Sequence, residues 1–138
     1  MDRLKLKVQL VKHEGLRLKP YRDTVGKLTI GVGRNLDDVG ISKDEAAMML
    51  DADITKVDQA LGNALPWWDA LDDVRQRVLA NMAFNLGVLG LLKFKRTLAR
   101  VAAGDYSAAA DEMLSSKWAA QVGARATELA AMMKTGKG

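Results

Sequence analysis

Residues 13–35 read HEGLRLKPYRDTVGKLTIGVGRN, and how this stretch is read decides the rest of the chain. Two acids, Glu14 and Asp23, stand nine positions apart, and a hydroxyl residue, Thr29, follows six later. Pro20 forbids a continuing helix and biases Lys19 toward extended geometry. Val25-Gly26-Lys27 is a turn signal and residues 28–32 are β-prone, so a hairpin centred near Gly26 is expected. With the hairpin symmetric about Gly26, Asp23 and Thr29 lie directly opposite and share a face. The segment then holds an acid, a base and a water holder, and two positioned carboxylates are the minimum equipment for cleaving a glycosidic bond. Such an acid must be protonated near neutral pH, which takes an apolar or charge-tuned setting. Leu10, Val11 and Leu16 flank Glu14, whereas Asp23 sits in a polar turn beside Arg22 and Thr24. A helix-end Glu, a turn Asp and a strand Thr are also ordinary placements, and spacing alone does not separate the two readings.

Outward from this segment the chain turns helical. Residues 4–11 alternate apolar and polar like a strand, although Leu4, Val8 and Val11 also fit one helical face, and Gly15 ends the element either way. Ser42-Lys43-Asp44-Glu45 is a capping box. It opens a helix over 43–61 that carries Ala46, Leu50, Ile54, Val57 and Leu61 and closes at Gly62-Asn63. Asp69 or Asp72 opens the next helix, through Val74, Val78 and Met82 to Gly87. Further helices are expected over 91–103, 107–114 and 124–133. Trp67-Trp68 after Pro66 and the Met pairs 48–49 and 132–133 read as core packing, and His13 as a helix-end histidine. Gly31-Val32-Gly33 lacks the third glycine and following helix of a dinucleotide loop. The fold class is therefore mainly α with a small β part (α+β). A small lobe spans roughly 12–45 and a helical lobe the remainder, with the 43–61 helix between them.

Composition narrows the function. At 138 residues a single domain is the default, and 49% hydrophobic with 28% charged residues argues for a packed fold. The chain has no cysteine and one histidine, which excludes disulfides, thiolate metal sites and a His-rich metal centre; no cofactor is expected. No Ser lies in a nucleophile elbow. No apolar run is long enough for a bilayer, and the charged N-terminus shows no secretory signal. The net charge of +4 suits polyanions such as nucleic acid, anionic lipid or a bacterial wall. No basic–aromatic interleaving supports a nucleic-acid partner.

The 13–35 run resembles the catalytic segment of phage-type lysozymes, the T4-lysozyme-like endolysins. That pattern has Glu-Gly, then Tyr-x-Asp-x-x-Gly, then Thr-x-Gly-x-Gly. Similarity continues at 42–46, 72–75, 81–87 and 117–118. The resemblance implies Glu14 as general acid, Asp23 as base and Thr29 as holder of the attacking water. It implies hydrolysis of the β-1,4 bond between N-acetylmuramic acid and N-acetylglucosamine in peptidoglycan, with inversion and carboxyls ~6.5–9.5 Å apart. It implies a lysozyme-like two-lobe fold in which 3–14 is a helix grouped with the helical lobe, 62–138. Arg125 matches an arginine that pairs with the acid, Phe84 and Asn85 match cleft-lining residues, and Thr97 replaces a serine at a substrate contact. Arg34 stands where a histidine commonly follows the Gly-x-Gly. The 35–41 segment is short, and Glu112 replaces an asparagine contact and inherits no role. The implied setting is a monomeric endolysin without stable membrane anchoring. It waits in the host cytoplasm until a holin opens the inner membrane, then acts on the wall. The rival readings are a non-catalytic glycan-binding or structural member of the fold, which the intact trio argues against, and a basic nucleic-acid binder.

Overall fold

The computed structural model describes residues 1–138, which divide into two compact units, Met1–Leu50 and Asp51–Gly138. Helices dominate, and one small antiparallel sheet accompanies them. No helix is long and apolar enough to cross a membrane.

The first unit opens with α1 (Arg3–Glu14), capped by the Asp2 carboxylate, which accepts from the Lys5 amide at 3.0 Å. The strand-like alternation at 4–11 is therefore misleading. A capped segment satisfies its backbone within itself, and Gly15 at φ +79° ends it. Strands β1 (Arg17–Arg22), β2 (Leu28–Gly31) and β3 (Arg34–Asn35) form an antiparallel sheet in that order. The two-residue β3 leaves no periodic signal in the sequence. Pro20 lies inside β1, where an edge strand tolerates it, and the β1–β2 pairing shifts between Arg17 and Tyr21.

Tyr21 pairs with Thr29 and Arg22 with Leu28, which centres the hairpin on Val25 rather than Gly26. Asp23 therefore stands opposite Lys27, not Thr29. The cause is local: the Asp23 amide donates to the Lys27 carbonyl at 2.9 Å, and the Gly26 amide to the Asp23 carbonyl at 3.0 Å. This closes the turn early. The correction amounts to two residues, so the alternation of a strand keeps Thr29 a diagonal neighbour of Asp23.

The capping box forms as expected: the Glu45 amide donates to Ser42 Oγ, and Glu45 Oε1 accepts from the Ser42 amide. It starts α2 (Lys43–Ala64), which begins in the first unit and ends in the second. Gly62-Asn63 does not close this helix. The bare Gly62 faces Trp68, whose Cδ1 would lie 3.5 Å from a Cβ there, and the Leu65 amide still donates to the Leu61 carbonyl. Only Leu61 of α2 is buried, while Met48 and Met49 are exposed, so that Met pair is not core filler.

The second unit contains a 3-10 turn at Trp68–Ala70, then α3 (Asp73–Leu86), α4 (Val88–Leu92), α5 (Lys95–Ala102), α6 (Tyr106–Leu114), α7 (Lys117–Val122) and α8 (Ala124–Thr135). Asp72 caps α3 and Gly87 ends it. The helix expected over 91–103 is broken at Lys93-Phe94. Phe94 takes ψ +57°, off the helical value, and sets its ring edge-on to Trp118 at 6.2 Å. The six-residue α7 is too short for periodicity to reveal; its sequence trace is the Ser116 cap. Leu61, Leu79, Met82, Leu91, Met113 and Met133 are fully buried. Trp68 joins this core and donates from Nε1 to Asp58 at 2.7 Å, so it packs as expected. Arg75 lies over the Tyr106 ring at 3.5 Å and donates to the Met133 and Lys134 carbonyls, which satisfies the C-terminal end of α8.

In contrast, Thr29 is the only buried residue of the first unit. Polar ties hold that unit: Asp37 accepts from the Leu28 amide, the Leu36 amide donates to the Leu28 carbonyl, and Asp38 accepts from Asn35 and Lys27. Local stability follows buried apolar contact. Backbone amides of β1–β3 are therefore expected to exchange with deuterium well before those of α3 and α6. Equal protection in a native-state exchange experiment would refute this division of stability.

Candidate functional site

The Lys27 peptide organises the hairpin end. Asp23 Oδ1 accepts from the Val25 amide at 3.0 Å and from the Lys27 amide at 2.8 Å. Thr29 Oγ1 donates to the Lys27 carbonyl at 2.9 Å. That carbonyl also takes the Asp23 amide proton. The structure thus brings Asp23 and Thr29 together through one residue, although they are not directly paired. Pinning Oδ1 leaves Asp23 Oδ2 without a protein partner. With its proton committed to Lys27, the Thr29 hydroxyl retains its acceptor lone pairs. Two acceptors of this kind suit a water molecule, which has two protons to give.

Glu14 is the last residue of α1, and its side chain crosses the backbone at Gly33. A Cβ at position 33 would stand 2.8 Å from Glu14 Oε2 and 3.2 Å from Cδ. Gly33 also has φ +71°, so it is needed twice, for conformation and for space. Gly31 has φ +69° and nothing within 4 Å, so its requirement is conformational alone. The apolar setting expected around Glu14 is absent from this unit. Glu14 is exposed, and so are Leu10, Val11 and Leu16, because α1 buries none of its residues.

Arg34 has a structural partner. Its guanidinium grips Glu45 through two hydrogen bonds, at 2.9 and 2.7 Å, and donates to the Gly40 carbonyl at 3.1 Å. It therefore closes the 35–41 segment onto the start of α2. The Arg34 bonds, followed by those from Ser42, hold the Glu45 carboxyl at about 2 against an ordinary 4.5. The same pair raises Arg34 above its ordinary value. Sequence reading found Glu45 as a cap and missed this second role. The only available signal was a cation at 34 with an acid at 45.

The remaining candidates lie in the second unit. Phe84 is 47% exposed near the end of α3. The neighbouring Asn85 accepts from Trp118 Nε1 at 2.8 Å, which fixes its amide. Thr97 is buried, as Thr29 is. Arg125 donates to Asn81 Oδ1 from both Nε and Nη2, at 2.9 and 2.7 Å.

Comparison with known proteins adds a separate line of information. The family described as Phage lysozyme matches residues 11–134. The chain is 30% identical over 155 residues to the pre-baseplate central spike protein of Enterobacteria phage T4; the match covers 92% of this chain but 27% of the spike protein's length. It is 28% identical over 160 residues to probable T4-type lysozyme 2 of Dictyostelium discoideum, covering 95% of this chain and 94% of that one. It is 30% identical over 132 residues to an endolysin of Acyrthosiphon pisum secondary endosymbiont phage 1, covering 92% and 86%.

The Arg34–Glu45 pair implies a defined acid sensitivity. A carboxyl whose folded value is depressed stabilises the fold above its unfolded value and loses that contribution as pH falls toward the folded one. The stability advantage of the native chain over Glu45→Gln should be full above pH 4.5 and vanish on approaching pH 2. Thermal midpoints of both proteins across this range check it. An advantage that stays constant with pH would show that the carboxylate charge is not what holds the segment.

Proposed function

The chain belongs to the phage lysozyme family, and from that premise we propose that it hydrolyses the β-1,4 bond between N-acetylmuramic acid and N-acetylglucosamine in peptidoglycan. The observation that carries this reading is the joint attachment of Asp23 and Thr29 to Lys27. It leaves one carboxylate oxygen and one hydroxyl with unused acceptor lone pairs, and in this reading both bind one water. In the proposed step that water gives a proton to Asp23 Oδ2 and donates its other hydrogen bond to Thr29 Oγ1. Its oxygen forms a bond to the anomeric carbon from the face opposite the leaving group. The carbon–oxygen bond to the departing sugar breaks as Glu14 protonates that oxygen. One displacement inverts the anomeric configuration. Gly33 serves by giving the Glu14 side chain room.

Phe84, Asn85 and Thr97 are proposed to contact substrate. Residues 1–138 act as one catalytic domain in this reading. The chain is an endolysin, monomeric and without cofactor, that reaches the wall once a holin opens the inner membrane and so lyses the host.

Clearing of a suspension of purified peptidoglycan tests the reading directly. Glu14→Gln should lower the rate by about 10²–10⁴-fold, the usual contribution of a positioned proton donor, with the fold intact. Full activity in that variant removes Glu14 from the acid role. A folded native chain with no clearing at all favours the non-catalytic glycan-binding alternative. Proton NMR of the fresh product should show the α anomer first; an initial β anomer would replace inversion by a two-step route.

The two glycines separate space from strain. Gly33→Ala pushes aside the Glu14 carboxylate, the free end of a flexible side chain, so it should cost activity well beyond its loss of stability. Gly31→Ala meets only the cost of an unfavourable φ, and its activity should track its stability. Equal losses of activity in the two variants, at equal stability, would refute the part given to Gly33.

A further inference from the structure

The peptide group between Lys27 and Leu28 is held from both sides. On one side its carbonyl, that of Lys27, accepts from the Asp23 amide and from Thr29 Oγ1, each at 2.9 Å. On the other its N–H, that of Leu28, donates to Asp37 Oδ2 at 2.8 Å. Asp37 lies beyond β3, which ends at Asn35. The Leu36 amide carries the ladder one step further, to the Leu28 carbonyl at 2.7 Å. There the Asp37 side chain takes the place of a backbone acceptor. Arg22, the partner of Leu28 across the hairpin, sets Nη1 3.6 Å from the same Asp37 oxygen and donates to the Gly26 carbonyl at 3.2 Å. The carboxylate is thus held at the hairpin end.

We infer that Asp37 is a positioning residue for hydrolysis: it sets the direction and acceptor strength of the Lys27 carbonyl, and through it the placement of Asp23 and the Thr29 hydroxyl. This rests on the reading above, in which those two hold the attacking water. The peptide group is rigid and planar, and its C=O and N–H point in opposite directions. A partner that fixes the N–H therefore also fixes the carbonyl. A carboxylate on the N–H polarises the group as well, and linked hydrogen bonds strengthen one another by roughly 10–30% each. Both effects matter at Thr29, whose proton must stay on the Lys27 carbonyl for its lone pairs to face water.

Asp38 supplies the contrast. It accepts from Lys27 Nζ at 3.1 Å and from Asn35 Nδ2 at 3.0 Å, and neither bond touches the Lys27–Leu28 peptide group. Two adjacent acids tie the same segment, and only one of them acts on the carbonyl that Asp23 and Thr29 share.

The test compares variants on soluble, uncrosslinked peptidoglycan strands. Asp37→Ala should lower kcat by about tenfold or more at nearly unchanged KM, because a displaced reacting group costs rate rather than grip. Asp37→Asn keeps an acceptor oxygen and should restore most of the loss. Asp38→Ala, which removes a tie but not this acceptor, should keep the native kcat. In NMR spectra taken without substrate, the Asp23 amide proton should move upfield in Asp37→Ala, as its carbonyl partner weakens, and hold its position in Asp38→Ala. An unmoved Asp23 amide, equal losses of kcat in the two alanine variants, no recovery in Asp37→Asn, or loss of the fold in Asp37→Ala overturns the assignment. The NMR comparison needs no turnover. A moved Asp23 amide with no hydrolysis by the native chain keeps the grip of Asp37 on this peptide group and removes the hydrolase reading; native hydrolysis with kcat unchanged in Asp37→Ala does the opposite.

Discussion

One residue's backbone, that of Lys27, holds both ends of the catalytic proposal. Its amide fixes the Asp23 carboxylate and its carbonyl accepts the Thr29 hydroxyl. The same carbonyl takes the Asp23 amide and thereby sets the hairpin register. Register and site geometry are consequently one constraint. A slip of the hairpin by one residue would turn Thr29 to the other face and separate it from Asp23. Thr29 is also the single buried residue of its unit, so the residue proposed to position water is also the fixed point of the sheet.

This unit contrasts with the helical one in what holds it together. The second unit has an apolar core with buried leucines, methionines and two tryptophans. The first has none, and its small sheet would be marginal without other support. Cross-ties from Asp37, Asp38 and Arg34 supply that support. Polar ties of this kind orient side chains without covering them. They also make that surface sensitive to protonation, and the pairing of Arg34 with Glu45 is where that sensitivity concentrates.

How much of this is legible in the sequence depends on the range of the interaction. The capping box at Ser42 and Glu45, the Asp72 cap and the glycine stop at Gly87 are local, and each forms where its residues indicate. The ambiguous 4–11 segment shows the limit of periodicity: few residues fit two periods, and the Asp2 cap decides. The break at Phe94 is not local, because its aromatic partner Trp118 lies far along the chain. The Arg34–Glu45 pair is hidden for a related reason. An acid already explained as a cap gives no reason to look for a second partner. The trio of Glu14, Asp23 and Thr29 was visible as a motif, but spacing misplaced its register by two residues, since turn closure depends on the Asp23 amide rather than on symmetry about a glycine.

The paired glycines at 31 and 33 carry that argument to its smallest scale. In sequence they are equivalent, two small residues flanking Val32. In structure their φ angles differ by only two degrees, +69° and +71°, so φ does not distinguish them. What separates them is a side chain arriving from another element: Glu14, at the end of α1, crosses Gly33 and leaves Gly31 in open space. A residue with no side chain is thus part of the acid's placement, because its lack of a Cβ is the volume the carboxylate occupies. Reading a Gly-x-Gly only as flexible chain would miss this. Reading it only as a motif would give both glycines the same reason, although one answers to conformation and the other to conformation and contact together.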